Sequence, residues 1–350
     1  MARPSRLDEA VGWLREALPD GWTTSLTRRA SAGGGIQVAS PSGSSAELEV
    51  RVLKDATPRS VSALPPAEWP RLVVADWLSS RTQQILRSRG TSFLDSTGNA
   101  EIRLSEPGLF VRTDGAKRHP SPAPLRGPSL RGPKAWALLR TLAEVPPPIG
   151  VRELAEAVNV DAGYVSRVLR VLEDELLVTR TPRGPVTGVE WEGVLRRASS
   201  TYALFDANVS TTWVASSGPE RLLDDLSAKR AGRWVVTGSF AAARVAPVAA
   251  PEQAVIFTDD TERLARAGRL LPATRGANVV VLEPYDPIVF ERTLPSDGVP
   301  NVSVAQAALD CLRGNARMPA EGEALLAWMR KNEARWRTGA LAARTKRRAS

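Results

Sequence analysis

The sequence predicts an α+β protein built from several modules, and three observations carry that prediction. The chain has 350 residues, more than the ~100–200 of one ordinary domain and enough to bury two or three cores. Residues 115–131, with His119-Pro-Ser-Pro-Ala-Pro and two Arg-Gly-Pro steps, have a composition that resists packing and favours extended backbone. On both sides of that stretch, period-two strand patterns and helical stripes of apolar residues mix within single segments. The expected division is an α+β segment at 1–114, a linker at 115–131, a compact module at 132–197, an α/β unit at 198–330 and a basic tail at 331–350.

In the first segment, Leu7, Val11, Leu14 and Leu18 share one helix face, with Ser5 placed as the N-cap. Alternation over 35–38, 46–53, 71–75 and 100–104 reads as half-buried strands, with a helix at 79–89 between them. The lone histidine, His119, falls in the linker, which argues against a metal centre and against His-based catalysis. The single cysteine, Cys311, cannot form an internal disulfide and suits a reducing compartment. No apolar run approaches the ~20 residues of a membrane span, and residues 1–6 lead into a charged amphipathic stretch, so a cytoplasmic protein without a membrane partner is expected.

The formal charge of +9 is unevenly placed. Residues 330–350 hold eight Lys/Arg against one Glu, and 112–134 hold six against one Asp, which leaves the rest of the chain slightly acidic. Two basic stretches beside a compact module favour a polyanionic partner.

The module at 132–197 carries the most specific pattern. Ala135, Leu138, Leu139 and Leu142 face inward on a helix at 134–143, which Val145-Pro-Pro-Pro ends because proline removes the donors a helix needs. Val151, Leu154, Ala155 and Val158 stripe a second helix, Asn159-Val160 turns the chain, and Asp161 caps a third helix running to about 173. In that helix Val165, Val168, Leu169 and Leu172 point inward, leaving Tyr164, Ser166, Arg167 and Arg170 outward. Two short helices joined by a tight turn form a helix-turn-helix, whose second helix reads the major groove. An Arg fork can pair with guanine O6 and N7, and Ser, Tyr and Arg can equally hold phosphate. The runs 176–181 and 186–191, joined by Pro182-Arg-Gly-Pro185, read as a hairpin wing that presents Arg180 and Arg183. Nine basic and nine acidic residues cancel over 134–197, so DNA binding rests on where the arginines stand, with Glu153, Glu156 and Glu173-Asp-Glu expected elsewhere. A protein-contact role for the same fold stays open.

With Arg152-Glu-Leu-Ala-Glu-Ala and Val165-Ser-Arg-Val-Leu-Arg-Val-Leu-Glu, this module resembles the winged helix-turn-helix regulators of bacteria. The first segment, through Leu72-Val-Val-Ala-Asp-Trp-Leu-Ser-Ser-Arg-Thr and Phe93-Leu-Asp-Ser-Thr-Gly-Asn-Ala, resembles the restriction-endonuclease-like α/β fold. Such nucleases hold a divalent metal with a strand acid and a Glu-x-Lys. The nearest match is Glu49-Val-Arg51, no carboxylate lies between Asp20 and Glu47, and Arg does not readily give up a proton, so Glu49 is expected to be a solvated strand residue of an inactive domain.

In the last segment, strands at 234–237, 253–257 and 277–282 alternate with helices at 218–229, 260–266, 303–313 and 319–330, Ser303 and Gly314 being the expected caps of one. Val236-Thr-Gly-Ser-Phe-Ala resembles the Gly-Ser turn of nucleotidyltransferases, but the strand at 252–257 has no second acid at Ala254 or Ile256, and Asp259 and Asp260 come after it. A nucleotidyltransferase-like scaffold without transfer chemistry is expected. Together with Tyr285-Asp-Pro-Ile-Val-Phe, Val304-Ala-Gln-Ala-Ala-Leu-Asp and Arg317-Met-Pro-Ala-Glu-Gly-Glu-Ala-Leu, residues 132–330 resemble the AbiEi-type antitoxins of type IV toxin-antitoxin systems and related regulators. That resemblance implies DNA binding, transcriptional autoregulation and, in some members, neutralisation of a nucleotidyltransferase toxin; the N-terminal segment exceeds the short antitoxin plan.

The expectation is a regulator of double-stranded DNA, with no cofactor, metal or catalytic residue. A homodimer and a toxin or other protein partner stay open. The alternative is a nucleic-acid-processing enzyme, either a metal-dependent nuclease or a nucleotidyltransferase.

Overall fold

The computed structural model describes residues 6–27, 34–117, 130–182, 184–229, 231–339 and 341. They fall into two compact units, the first comprising the residues up to 117 together with 174–176 and the second the residues 130–173 and those from 177 on. Ser5, His119, Arg183 and the basic residues at 344–348 lie outside the described residues.

In the first unit, α1 (Arg6–Ala17) buries Val11 and Leu14, and Leu7 and Leu18 pack at the rim of the same core. It leads into β1 (Thr23–Thr27), β2 (Gly35–Ala39), β3 (Ser45–Leu53), α2 (Pro58–Ser62), β4 (Arg71–Ala75), α3 (Ser80–Ser88), β5 (Ser92–Asp95), β6 (Ala100–Leu104) and β7 (Leu109–Thr113). These strands form a seven-stranded sheet in sequence order. β3, β4 and β5 are parallel, and the other pairs are antiparallel. The parallel pairs need crossovers, which α2 and α3 supply; Thr57 and Ser79 cap those helices through their side chains.

Two sequence expectations are corrected in this sheet. β4 is buried throughout rather than half-buried. Leu72 and Val74 face one core while Val73 and Ala75 face a second under α2 and α3, as expected for a central parallel strand covered on both faces. Glu49 is not solvated. It is buried on β3, where Arg71 contacts it at 2.9 Å and Arg51 at 2.6 Å.

The second unit begins with α4 (Pro133–Glu144), α5 (Val151–Val158), α6 (Ala162–Asp174), β8 (Val178–Arg180), β9 (Val186–Val189) and α7 (Trp191–Ser199). It continues through α8 (Leu204–Ala207), β10 (Val209–Val214), α9 (Pro219–Ala228), β11 (Trp234–Thr237), α10 (Gly238–Ala243), β12 (Ala254–Thr258), α11 (Thr261–Gly268), β13 (Leu271–Pro272) and β14 (Val279–Glu283). A 3-10 turn at Pro287–Phe290 precedes β15 (Leu294–Ser296), β16 (Val299–Asn301), α12 (Val304–Leu312), α13 (Met318–Lys331) and α14 (Glu333–Trp336). The mixed sheet runs β13-β10-β14-β12-β11-β16-β15, with β12/β14 and β11/β16 parallel.

One apolar core runs without a break from the central helices into this sheet. Leu138 and Leu142 of α4, Val168 of α6 and Val194 of α7 belong to the same cluster as Val235 of β11, Val280 of β14, Leu309 of α12 and Leu325 of α13. Ser303 caps α12, its Oγ accepting the Gln306 N–H at 3.1 Å. Gly314 follows the C-cap Arg313 but does not adopt the left-handed conformation of a glycine cap. Its missing side chain instead makes room for Met318, whose Sδ would lie 2.7 Å from an added Cβ.

Candidate nucleic-acid interface

The helix-turn-helix is assembled by backbone capping. At the start of α5 the Glu153 carboxylate reaches back to the Gly150 N–H at 3.3 Å. Asn159 ends α5 in the left-handed conformation, φ 52°, which Asn tolerates better than most residues. Val160 N–H then bonds Ala155 O at 3.0 Å. Asp161 Oδ1 accepts the Tyr164 N–H at 2.7 Å, as its N-cap position predicts. Only three residues therefore separate α5 from α6, and α6 is anchored by its buried stripe of Val165, Val168, Leu169 and Leu172.

The outward face of α6 carries the expected side chains in different states. Arg167 and Arg170 are exposed, and neither makes an ion pair among the described residues. Ser166 and Tyr164 are half-buried. The Tyr164 ring packs against the core, and burial pushes its phenol pKa up against the opposing charge of Arg167, so it presents a protonated hydroxyl. Tyr164 also lines an open dish of about 440 Å³ with Arg131, Lys134, Asn159 and Asp161. Lys134 is engaged there by buried Asp286 at 3.1 Å.

The wing is a β8–β9 hairpin, extended by an Ile149–Val186 bridge that ties it to the segment before α5. Arg180 does not stand free on it. Its Nε donates to Glu173 Oε2 at 2.9 Å, the two side chains being only 18% and 20% exposed. The expectation that Glu173 lies elsewhere is corrected: it neutralises Arg180 and binds β8 to the end of α6. Arg183 lies outside the described residues.

Sequence reasoning passed over three features. Glu153, three residues after Gly150, supplies the acidic half of a capping box, a signal that was legible. Arg152, exposed on the first turn of α5 without an ion pair among the described residues, was legible as a cation at a helix that crosses the backbone. The Ile149 bridge had no local signal, because three prolines precede it.

The Gly238-Ser239 turn is closed by other side chains. Ser239 donates to buried Glu321 at 2.6 Å, and a Cβ on Gly238 would lie 2.9 Å from Met318 Cε, so α13 covers the Gly-Ser turn and sets a carboxylate where a triphosphate would need positive charge. Among the described residues no group of three His, Cys, Asp or Glu could hold a metal ion. No helix among them is long and apolar enough to cross a membrane.

Residues 133–183 match the family model described as MarR family. No curated protein and no solved structure matches the chain. The match and the geometry agree on a central winged helix-turn-helix, and they support a DNA-binding transcriptional regulator with DNA as its partner.

Proposed function

We propose that the protein regulates transcription by reading double-stranded DNA with α6. Arg167 and Arg170 are the base- and phosphate-contacting cations, Ser166 and Tyr164 add hydroxyl contacts, and Arg152 on α5 holds the backbone. The observation that carries this reading is that Arg167 and Arg170 are exposed and without ion pairs among the described residues, on a helix whose opposite face is fully buried. Arg180 positions the wing through Glu173, and Arg183, outside the described residues, is the phosphate contact expected of the segment that joins β8 to β9. Recognition helices of this kind work in pairs on two-fold sites, so the acting form is a homodimer.

The finer reading is an AbiEi-like autoregulating antitoxin without enzymatic activity of its own. The fusion of the winged helix to the α/β sheet through one core supports it, as does the closed Gly238-Ser239 turn. The buried carboxylates of the N-terminal unit support the non-enzyme part, since Glu49 and Glu101 are each held by arginines. Co-expression with the product of an adjacent toxin gene tests it; failure to co-purify or to protect would sink the antitoxin reading and leave the regulator intact.

Genome-wide mapping of bound sites, followed by anisotropy titration of the recovered duplex, tests the main reading. Arg167→Ala with Arg170→Ala should weaken binding at least 10-fold, about 1–3 kcal/mol per lost bidentate contact. Undiminished affinity would remove α6 from the interface.

A further inference from the structure

The β6–β7 hairpin of the first unit concentrates charge and an aromatic ring in a way the α6 reading does not use. β6 and β7 pair so that Glu101 stands opposite Arg112 and Arg103 opposite Phe110, which puts all four on one sheet face. The other face of β6 is spent on the core through Ala100, Ile102 and Leu104. Glu101 is buried, its side chain 3% exposed, and three guanidinium groups converge on it: Arg103 at 2.5 Å, Arg87 at 2.8 Å and Arg112 at 3.9 Å. Burial works against ionisation of Glu101, but the Arg87 and Arg103 contacts outweigh it and hold the carboxyl below its ordinary range. One negative charge thus organises three positive ones.

Two of those cations remain accessible, Arg103 and Arg112 being 49% and 51% exposed. Beside them the Phe110 ring is 61% exposed, with the Arg103 guanidinium 5.4 Å from its centroid. An exposed ring is of no use to a duplex backbone, whose bases are stacked inside. A ring flanked by fixed cations suits an unpaired nucleotide, which offers a π-face and a phosphate together. We propose that the β6–β7 hairpin binds single-stranded nucleic acid, with Arg103 and Arg112 holding phosphate and Phe110 stacking a base. Glu101 acts as the positioning residue that pre-orders the two guanidinium groups.

The test uses the full-length protein and a fluorescent oligothymidylate of about 12 nucleotides, within the usual single-strand site size. Phe110→Ala should weaken binding about 10-fold, the scale of one lost stack. Arg103→Gln with Arg112→Gln should reduce the slope of log K against log salt by about 1.4, or ~0.7 for each single-strand phosphate contact. Arg167→Ala with Arg170→Ala should leave oligothymidylate binding unchanged while duplex binding falls, so this surface and the α6 reading fail separately. Phe110 is exposed and does not brace Glu101, so Phe110→Ala stays decisive if the arginine pair lowers the melting temperature. Absence of oligothymidylate binding by the parent, or equal binding by Phe110→Ala, would overturn the proposal.

Discussion

Tyr202, three residues beyond α7, donates its buried hydroxyl to Oδ1 of Asp310 on α12 at 2.6 Å. Gln306 donates to the same oxygen at 2.8 Å and Thr237 to the other at 2.5 Å. Asn208 donates to the Tyr202 oxygen at 3.4 Å, and Trp136 and Tyr285 stand edge-on to the Tyr202 ring. The junction between the reading head and the α/β sheet is therefore a satisfied polar network inside the shared core, where any lost partner is costly.

This network gives the second unit an unusual pH response. Burial raises the Asp310 pKa to about 6, with the Thr237, Tyr202 and Gln306 hydrogen bonds opposing it. A carboxyl whose folded pKa exceeds its unfolded value stabilises the fold fully at low pH, and that contribution is lost as pH rises through the folded value. Between pH 5 and 7 Asp310 should therefore remove about 1 kcal/mol of stability. Urea denaturation at the two pH values should show the difference in the parent and not in Asp310→Asn. An Asn variant with the parent's slope would assign the effect to another group.

Arg140 fastens the winged helix from the opposite side. Its fully buried guanidinium pairs with Glu144 at 3.1 Å, donates to Glu291 O at 2.8 Å and to Ser303 Oγ at 2.9 Å, and bonds Ile288 O. Arg140→Ala leaves buried Glu144 with only the Ser303 hydroxyl and Arg292, at 3.8 Å, as partners, and should cost about 3–5 kcal/mol. Arg140→Met with Glu144→Leu should recover most of that loss. A fragment limited to 130–197 should show no cooperative melt by circular dichroism, because Leu138, Leu142 and Val194 lose their partners on α12 and α13. A folded fragment would contradict the shared core.

The Arg180–Glu173 pair predicts opposite effects from its two halves. Glu173→Gln should release Arg180, tighten duplex binding and steepen the slope of log K against log salt by about 0.9, one added phosphate contact. Arg180→Ala should weaken binding through loss of wing support and leave that slope unchanged. A slope flattened by about 0.9 in Arg180→Ala would show that Arg180 already holds phosphate in the parent.

Acid should act on the first unit in the contrary sense. Burial opposes ionisation of Glu49 and Glu101, yet the hydrogen bonds and charges of their arginine partners hold both carboxyls below the ordinary range. Depressed carboxyls stabilise the fold above their unfolded pKa, and that contribution is lost as pH falls through the folded value. Melting below about pH 4 should thus begin in this unit. Glu49→Gln, which takes the carboxylate from buried Arg71 and leaves it the Pro65 carbonyl, should cost about 3 kcal/mol at neutral pH by urea denaturation. A loss under about 1 kcal/mol would mean that Arg71 re-pairs elsewhere.

The helices and strands of the reading head were legible because their signals are local. The apolar stripe through Val165, Val168, Leu169 and Leu172 spans one helix, and Asp161 caps it from the preceding residue. β4 was misjudged as half-buried because a short apolar run looks alike with one face covered or two, and only the packing of α2 and α3 settles it. Gly314 has the spacing of a helix cap, whereas the close approach of Met318 is what requires it.

By itself the sequence determined the helices and strands of the reading head, which face of α6 turns outward and that its arginines stand there, since periodicity and capping act within a few residues. The tertiary structure alone decided which charges remain available. Glu173 neutralises Arg180, Arg71 and Arg51 bury Glu49, and Glu321 closes the Gly238-Ser239 turn. Apart from Arg51 and Glu49, which are neighbours on one face of β3, these contacts join residues on different elements, and a Coulombic or hydrogen-bonded partner is set by distance in space, which spacing along the chain does not encode.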